Sequence, residues 1–308
     1  MVVKMHSLRY LLIPCICCFL WCTACAQQKN KANMNTNTAK QVISSSQQET
    51  HPGYYLQINN QNCYYELRIN DFNGGKYYDM YPSYSTRIPL NLRILKSGEQ
   101  ALSLKVFPYK GDTLSPKANL QMRLIKYADM TDLENEYGGS TVLWNWEMPE
   151  IGEQQLPLFA YDTIFKAEVP YTITTLDTKA TDLSKIDKDK LLEEVIAEFT
   201  KTRASIINKT QDKEVIIRAI KRSTIQVYSS EEEDLEVLEG MINLGDGKEP
   251  QPLENFEMRL YYHNRVVTLV KNDDKEPAIW FKHPETGARS WQPVYIYKDN
   301  TTGKWERW

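Results

Sequence analysis

Apolar and polar residues alternate along the first half of the chain with a period of two. In "CYYELRIND" every second residue from Cys63 to Ile69 is apolar or aromatic. The stretches "IPLNLRILKSGEQALSLKVF" and "NLQMRLIKY" continue the alternation, and Ser97 and Gly98 give the first of them a turn between two strands. Such alternation, interrupted by Gly, Pro, Asn and Asp turns, is typical of strands with one buried face. It predicts an antiparallel β-sandwich over residues 53–176.

The second half of the chain changes to spacings of three and four. Apolar residues at these spacings form one helical stripe over residues 189–208: Leu192, Val195, Ile196, Phe199 and Ile206. This pattern predicts an amphipathic helix. The stretches "DKEVIIRAIKRSTIQVYSS" and "EEEDLEVLEGMINLG" predict two more, the last with acids in its first turn and Gly245 as a stop.

Strand patterns return after these helices. The stretches "FEMRLYYHNRVVTLV", "PAIWFKH", "WQPVYIYKD" and "KWERW" are separated by turn signals and predict a meander of three or four antiparallel strands. Helices followed by a meander predict a cone-like α+β layer over residues 185–308. The predicted fold class is therefore α+β, with an N-terminal antiparallel β-sandwich, a helical segment and a C-terminal antiparallel β-meander.

The N-terminus carries an export signal. Lys4 and Arg9 precede an apolar run over residues 10–22, which is shorter than the roughly 20 residues of a spanning helix. The small residues that end at Cys25 resemble a bacterial lipobox, although Cys22 stands where a large aliphatic residue is usual. The resemblance implies a lipoprotein signal peptide over residues 1–25 and acylation of Cys25. The expected location is periplasmic, with a lipid anchor in the outer membrane.

Two alternatives to the lipid anchor stay open. Cleavage before Gln27, after a small-x-small site, would release a soluble secreted protein. Retention of the apolar run would leave an N-terminal transmembrane anchor. Residues 26–52 are dominated by Gln, Asn, Lys, Ser and Thr and predict a disordered tether, because they offer too little apolar surface to bury.

Charge and candidate chemistry exclude some functions and indicate no reaction. The formal net charge is −3, and removal of the leader with Lys4 and Arg9 makes it more negative, so nucleic acid is not an expected partner. Past the leader, Cys63 is a lone cysteine in an alternating strand, which predicts a buried thiol. His263 falls at a predicted hairpin turn, and His283 precedes Pro284 at the end of a predicted strand. No metal, cofactor or catalytic motif is found, and the chain is predicted to be non-enzymatic.

Aromatic residues are the richest feature of the chain. Residues 70–87, "NDFNGGKYYDMYPSYSTR", read as a long glycine-bearing loop with four tyrosines, which are Tyr77, Tyr78, Tyr81 and Tyr84. Tyrosine dominates many interfaces, so these four are predicted binding residues. The alternative is that aromatics favour strands and fill the core.

Two stretches resemble known groups of proteins. "YYELRINDF" followed by "PLNLRILKSGEQALSLKVFP" resembles a pattern that recurs in uncharacterised exported bacterial proteins. The resemblance implies a β-sandwich, and the position of some such proteins beside toxin-delivery systems implies a toxin-neutralising (immunity) role. The element order of residues 185–308 is similar to that of nuclear-transport-factor-like and cystatin-like folds.

Three functions remain as hypotheses. The first is a lipid-anchored periplasmic protein that binds another protein, such as a toxin. The second is a glycan or small-ligand binding module on the concave C-terminal sheet, with Trp280, Trp291 and Tyr295 lining its pocket. The third is a hydrolase, which would require two acids in a cleft, or His263 and His283 brought together.

Overall fold

Fifteen strands in four sheets and four α-helices are formed by residues 50–308, which are the residues that the computed structural model describes. The predicted signal peptide (1–25), the predicted lipidation site Cys25 and most of the predicted tether lie outside the described residues. Contacts between Cα atoms place Gln48–Trp308 in one compact unit. Both predicted domains, 53–176 and 185–308, fall within this unit, and the boundary between them stays a prediction.

Eight antiparallel strands form the N-terminal half. They are β1 (Gly53–Gln61), β2 (Cys63–Ile69), β3 (Phe72–Tyr77), β4 (Ser83–Pro89), β5 (Gly98–Pro108), β6 (Asn119–Tyr127), β7 (Ser140–Glu147) and β8 (Phe159–Ala167). One sheet has the order β4-β1-β6-β7 and the other the order β3-β2-β5-β8. The two sheets bury one shared apolar cluster, to which β1 contributes Leu56, β6 Leu120, β2 Leu67 and β5 Leu104. This arrangement confirms the predicted β-sandwich.

The long loop predicted for residues 70–87 is wrong, because most of that segment belongs to β3 and β4. The glycines that indicated a loop allow close packing within a strand instead. A Cβ atom at Gly74 would lie 3.0 Å from the side chain of Ile69, and one at Gly75 would lie 2.5 Å from that of Ile88.

The strand predicted to continue through "IPLNLRI" is also wrong. Strand β4 ends at Pro89, and a 3₁₀ turn at Asn91–Arg93 follows. The buried side chain of Asn91 accepts a hydrogen bond from the backbone N–H of Tyr54 (2.8 Å) and donates one to the carbonyl of Pro52 (2.9 Å). These bonds satisfy buried polar groups of a segment that has left the sheet.

Four helices follow the sandwich: α1 (Thr175–Lys179), α2 (Lys188–Ile207), α3 (Lys213–Val227) and α4 (Glu231–Ile242). The three longer helices confirm the spacing-based prediction. Asp187 caps the N-terminus of α2 and Asp212 that of α3, each accepting two backbone N–H bonds. Ser230 and Glu233 form a capping box at the start of α4. Such caps satisfy N–H groups that have no partner within the helix.

Seven short strands complete the C-terminal half. They are β9 (Glu249–Pro250), β10 (Phe256–Tyr261), β11 (Val266–Lys271), β12 (Ile279–Lys282), β13 (Arg289–Gln292), β14 (Ile296–Lys298) and β15 (Trp305–Arg307). They form the antiparallel sheets β10-β11-β14-β15 and β13-β12-β9. Val195 and Phe199 of α2 share a buried cluster with Leu269 of β11 and Phe281 of β12. The helix therefore covers the meander, and the α+β class is confirmed.

Helix α3 is joined to the sandwich by an exchange of amide hydrogen bonds. The side-chain amide of Gln226 donates to the carbonyls of Asn91 (3.0 Å) and Ile94 (3.1 Å), and the Asn91 amide donates to the Gln226 carbonyl (3.1 Å). Both side chains are buried. The Nε2 donor of Gln226 and the Nδ2 donor of Asn91 both find backbone carbonyls across this contact. Buried hydrogen bonds of this kind fix the relative position of two elements, so the 3₁₀ turn and α3 form one support.

Candidate functional site

A cavity of about 500 Å³ opens where the sandwich, the helices and the C-terminal strands meet. We call it the junction pocket. Its aromatic and charged lining residues are Phe72, Arg93, Arg222, Trp291, Tyr295, Arg307 and Trp308. Phe72 and Arg93 come from the sandwich and Arg222 from α3, while the other four come from the C-terminal strands and their flanks. Ligand pockets are commonly found at such junctions, with volumes of this order.

Aromatic rings form one wall of the junction pocket. Phe72 and Trp308 stack nearly parallel, with ring centroids 6.2 Å apart. The hydroxyl of Tyr295 accepts a hydrogen bond from the Asn73 amide at 3.4 Å. The indole Nε1–H of Trp291 is buried and has no hydrogen-bond partner. Buried indole N–H groups are normally paired, so the wall holds a donor that no protein atom uses.

Arg93 and Arg307 are held in place by backbone carbonyls. Nε of Arg93 donates to the carbonyl of Asn73 at 3.0 Å, and Nη2 of Arg307 donates to that of Pro293 at 3.0 Å. Each guanidinium has five N–H donors in a fixed plane. These anchors therefore orient the two side chains and leave donors free.

Arg222 reaches the pocket from helix α3. Its guanidinium carbon lies 3.9 Å from the centroid of the Trp308 ring, a cation–π contact. Its Nε is buried and has no hydrogen-bond partner. Arg222 thus packs against the aromatic wall while its Nε–H donor stays unsatisfied.

The three pocket arginines lack acidic partners. Within residues 50–308, arginine forms ion pairs with carboxylates at Arg68–Asp71, Arg259–Glu66, Arg259–Glu257 and Arg289–Asp274. None of these pairs involves a pocket arginine. Burial lowers the pKa of Arg222 to about 10 and that of Arg307 to about 10, and it also lowers the pKa of Arg93. Arginine keeps its charge in proteins, so the pocket concentrates positive charge.

Helix α4 closes another side of the pocket. Val237, Gly240 and Met241 contribute to the lining, and no residue of α4 is fully buried. A Cβ atom at Gly240 would have no heavy atom within 4 Å. Gly240 is therefore a position where a large side chain can be introduced beside the cavity without a backbone clash.

The structure brings together two of the three residues predicted for a C-terminal pocket. Trp291 and Tyr295 line the junction pocket, whereas Trp280 does not. The Trp280 ring lies beside Lys271 and Arg289, whose charged groups are 5.2 and 5.4 Å from its centroid. The pocket is also not confined to the concave C-terminal sheet, because the sandwich and two helices supply much of its wall.

Tyr77 is the last residue of β3 and belongs to the sandwich core, and Tyr78 directly follows that strand. Tyr77 is 6% exposed and stacks on Tyr84, with centroids 4.9 Å apart. Burial raises the pKa of Tyr77 to about 12. The hydroxyl of Tyr78 donates to Oε1 of Glu66 at 2.6 Å. The core explanation for strand aromatics therefore applies to Tyr77, whereas the half-buried Tyr78 is held by its hydrogen bond to Glu66.

The other two predicted tyrosines are exposed, Tyr81 on the connection between β3 and β4 and Tyr84 in β4. Tyr81 is 62% and Tyr84 48% exposed, and the neighbouring Met80 is 74% exposed. We call Met80, Tyr81 and Tyr84 the tyrosine patch. It is separate from the junction pocket, since none of its members lines that cavity.

Sequence reasoning missed the pocket arginines. Arg93 lies in the apolar run "LNLRIL" and Arg307 lies in "KWERW" next to Trp308. An arginine within an apolar or aromatic stretch was the available signal, because burial of its neighbours along the chain places the arginine close to the interior. Whether a carboxylate meets that charge depends on tertiary packing, which spacing along the chain does not show.

Other candidate chemistry falls at structural positions. Cys63 is buried, as predicted, and burial raises the pKa of its thiol to about 11. Nδ1 of His283 accepts backbone N–H bonds within its own turn, from Glu285 and Thr286. In the described part of the chain, no three His, Cys, Asp or Glu side chains are grouped so as to hold a metal ion.

No helix within residues 50–308 has the length and apolar character needed to span a membrane.

Comparison of the chain with protein-family models, with curated proteins and with solved structures gave no match. No residue role can therefore be transferred from a relative. The geometry of the junction pocket and of the tyrosine patch is the basis for assigning a function.

Proposed function

We propose that this protein is an exported, non-enzymatic binding protein that holds a small ligand in the junction pocket. The observation that carries the proposal is a cavity of about 500 Å³ with an aromatic wall and unpaired N–H donors. Aromatic walls provide apolar contact area, and a few fixed polar groups provide orientation. The geometry supports the small-ligand form of the binding-module hypothesis, with the site moved from the concave sheet to the junction.

Anchoring on three sides suits the pocket to binding. The Gln226 and Asn91 amides fix α3 against the sandwich, and backbone carbonyls hold Arg93 and Arg307. A site that is formed before the ligand arrives avoids part of the entropy of ordering side chains. Such preorganisation favours binding without a large conformational change.

Export and lipid anchoring belong to the same proposal. They rest on the leader and on the lipobox-like residues that end at Cys25. Mass spectrometry of the mature N-terminus tests them. We expect an acylated Cys25. A free N-terminal Gln27 would show instead that the protein is secreted without a lipid anchor.

A thermal-shift screen tests the small-ligand proposal. The panel should contain cell-wall fragments, neutral glycans, aromatic compounds and organic acids. A ligand at about 100 times its Kd stabilises the fold by about 2.7 kcal/mol, which is a clear shift in Tm. G240F is designed to fill the pocket and should abolish the shift.

E239F is the matched control for G240F. It places the same side chain on an exposed position of the same helix, outside the lining. It should leave the ligand response intact. A ligand response that survives in G240F, or the absence of any response across the panel, would contradict the proposal.

A second candidate function is protein binding by the tyrosine patch, of which a toxin-neutralising role is one version. The supporting observation is the exposure of Met80 and Tyr81, which are adjacent apolar side chains on the β3–β4 connection. Methionine and tyrosine are enriched at protein interfaces. A lipid-anchored protein with this patch would capture a partner in the periplasm.

Crosslinking in intact envelopes, followed by affinity capture, tests the second candidate. M80S/Y81S changes only exposed residues, and Leu133, 72% exposed elsewhere on the sandwich, provides the control L133S. We expect M80S/Y81S alone to lose a crosslinked partner. Identical sets of crosslinked partners for the wild type and both variants would exclude the tyrosine patch as a protein-binding site.

A further inference from the structure

We propose that the ligand of the junction pocket carries an oxyanion, either a carboxylate or a phosphate group, that is bound by Arg93, Arg222 and Arg307. This inference rests on the proposed small-ligand function and adds the chemical class of the ligand. It assigns the positive charge of the pocket to recognition rather than to folding.

The first reason is the missing negative charge. The chain has a net charge of −3, with 40 acidic residues available, yet none of the described carboxylates forms an ion pair with a pocket arginine. A buried cation without a counter-charge is unfavourable, and proteins normally pair such groups. Three partly buried cations without a carboxylate partner line one cavity, and this indicates that the counter-charge comes from outside the chain.

The second reason is the kind of polar atom left unsatisfied. The buried Nε of Arg222 and the buried Nε1 of Trp291 are both donors without partners. Guanidinium and indole N–H groups can only donate hydrogen bonds. Their complement is a group rich in acceptors. Carboxylates and phosphates offer acceptor oxygens in a geometry that guanidinium matches well.

The third reason is that packing accounts for only part of the arrangement. Stacking on Trp308 gives Arg222 a structural contact, but it leaves Nε without an acceptor. A single carbonyl hydrogen bond holds the Arg307 guanidinium. These contacts position the side chains and do not neutralise their charge.

The aromatic wall defines the rest of the ligand. Phe72 and Trp308 stack on each other, and Met241 and Leu244 add apolar side chains to the lining. A flat or ring-shaped body fits this surface through apolar contact. The inferred ligand is therefore a ring-bearing organic oxyanion, held by its charged group at the arginines.

Matched charged and neutral probes test this inference by isothermal titration calorimetry. The pairs are phenyl phosphate with phenol, and benzoate with benzamide, and inorganic phosphate tests the oxyanion without a ring. We expect an anion of each pair to bind at least about tenfold more tightly than its neutral partner, because hydrogen bonds to charged groups are stronger than neutral ones.

Arginine variants show which groups hold the anion. R222Q and R307Q should each weaken binding of the anions by about tenfold or more. R289Q is the matched control, because Arg289 lies beside Trp280 and outside the pocket. It should bind like the wild type. R222K, which keeps the charge and loses the planar fork, should fall between the wild type and R222Q.

The outcomes separate the inference from the function on which it rests. Equal binding of neutral and charged probes, unchanged in R222Q and R307Q, would overturn the oxyanion and leave the small-ligand pocket standing. Failure of phenyl phosphate, benzoate and inorganic phosphate to bind at millimolar concentration would also overturn the oxyanion. The small-ligand function itself is tested by the separate thermal-shift screen. It would be contradicted by the absence of any response there, or by a response that survives in G240F.

Discussion

Arginines lie at the boundary between the sandwich and the C-terminal strands at two places, and their partners differ between the two. Arg259 of β10 meets Oε1 of Glu66 of β2 at 2.9 Å and also pairs with Glu257. Arg222 meets the Trp308 ring and no carboxylate. We call Arg259, Glu66 and Tyr78 the ionic seam.

The pKa values of the two arginines move in opposite directions. Burial acts to lower the pKa of Arg259, but hydrogen bonds to Glu66 and Glu257 outweigh it and raise that pKa above its ordinary value. At Arg222 burial acts with no carboxylate to oppose it, and the pKa falls to about 10. Carboxylates of the chain therefore pair with Arg259 and not with Arg222, which is the basis for proposing that Arg259 serves folding and Arg222 serves binding.

The largest expected effect is at the ionic seam. R259Q leaves the carboxylate of Glu66 without its cation, and both side chains are less than one-fifth exposed. Breaking one partner of a largely buried pair typically destabilises a protein by about 3 kcal/mol. Urea unfolding at neutral pH measures this loss. The double variant R259Q/E66Q should recover part of it, and an additive double variant would show that the two side chains do not interact.

The ionic seam also predicts a pH dependence. Burial acts to raise the pKa of Glu66, but hydrogen bonds from Arg259 and Tyr78 outweigh it and lower that pKa below its ordinary 4.5. A carboxyl whose pKa is lowered by folding stabilises the fold above its unfolded-state pKa and loses that contribution as pH falls through the folded value.

The measurement is the free energy of unfolding of the wild type and E66Q from pH 7 to pH 3. The difference between them should be about 1–2 kcal/mol at pH 7 and should shrink below pH 4.5. E236Q, at an exposed position of α4, should follow the wild-type curve. A difference that stays constant across this range would show that protonation of Glu66 does not contribute to the pH dependence of stability.

Residues 63–69 show what the sequence could predict. Their alternation fixed which side chains of β2 face the core, because burial on one face requires a period of two. The same reasoning located α2, α3 and α4. It failed at Gly74, where the absence of a side chain permits close packing inside a strand, and at Asn91, whose buried amide supports a turn.

The candidate site was only partly predictable for a related reason. Trp291 and Tyr295 were selected because large aromatics near strands mark binding surfaces, and both line the pocket. Arg222 was not selected, because a missing ion pair is a property of the folded neighbourhood. Tyr77 shows the reverse error, since its aromatic character was sought for binding and is used in the core.

A smaller effect is expected at the wall of the pocket. Glycine within a helix is less stable than alanine by about 1 kcal/mol, and a Cβ at Gly240 meets no neighbouring atom. G240A should therefore stabilise the unliganded protein by roughly that amount while leaving the arginines intact. Thermal unfolding measures it, and a loss of stability would show that α4 packs more closely than the structure indicates.

The smallest expected effect on stability is at Arg222, and it contrasts with the large effect expected at Arg259 of the ionic seam. R222Q removes a cation–π contact of about 1 kcal/mol and also removes a desolvated charge without a counter-ion. The two terms oppose each other, so the unliganded R222Q should differ from the wild type by less than about 1 kcal/mol. A loss as large as that of R259Q would assign Arg222 to folding.

The most direct measurement of the difference between the two arginines is the side-chain ¹⁵N–¹H spectrum of the protein during titration with inorganic phosphate. We expect the Nε–H signal of Arg222 and the Nε1–H signal of Trp291 to shift together, while the Nε–H signal of Arg259 stays in place. Equal shifts at Arg222 and Arg259, or no shift at either, would contradict the claim that the protein holds the pocket charge open for an oxyanion.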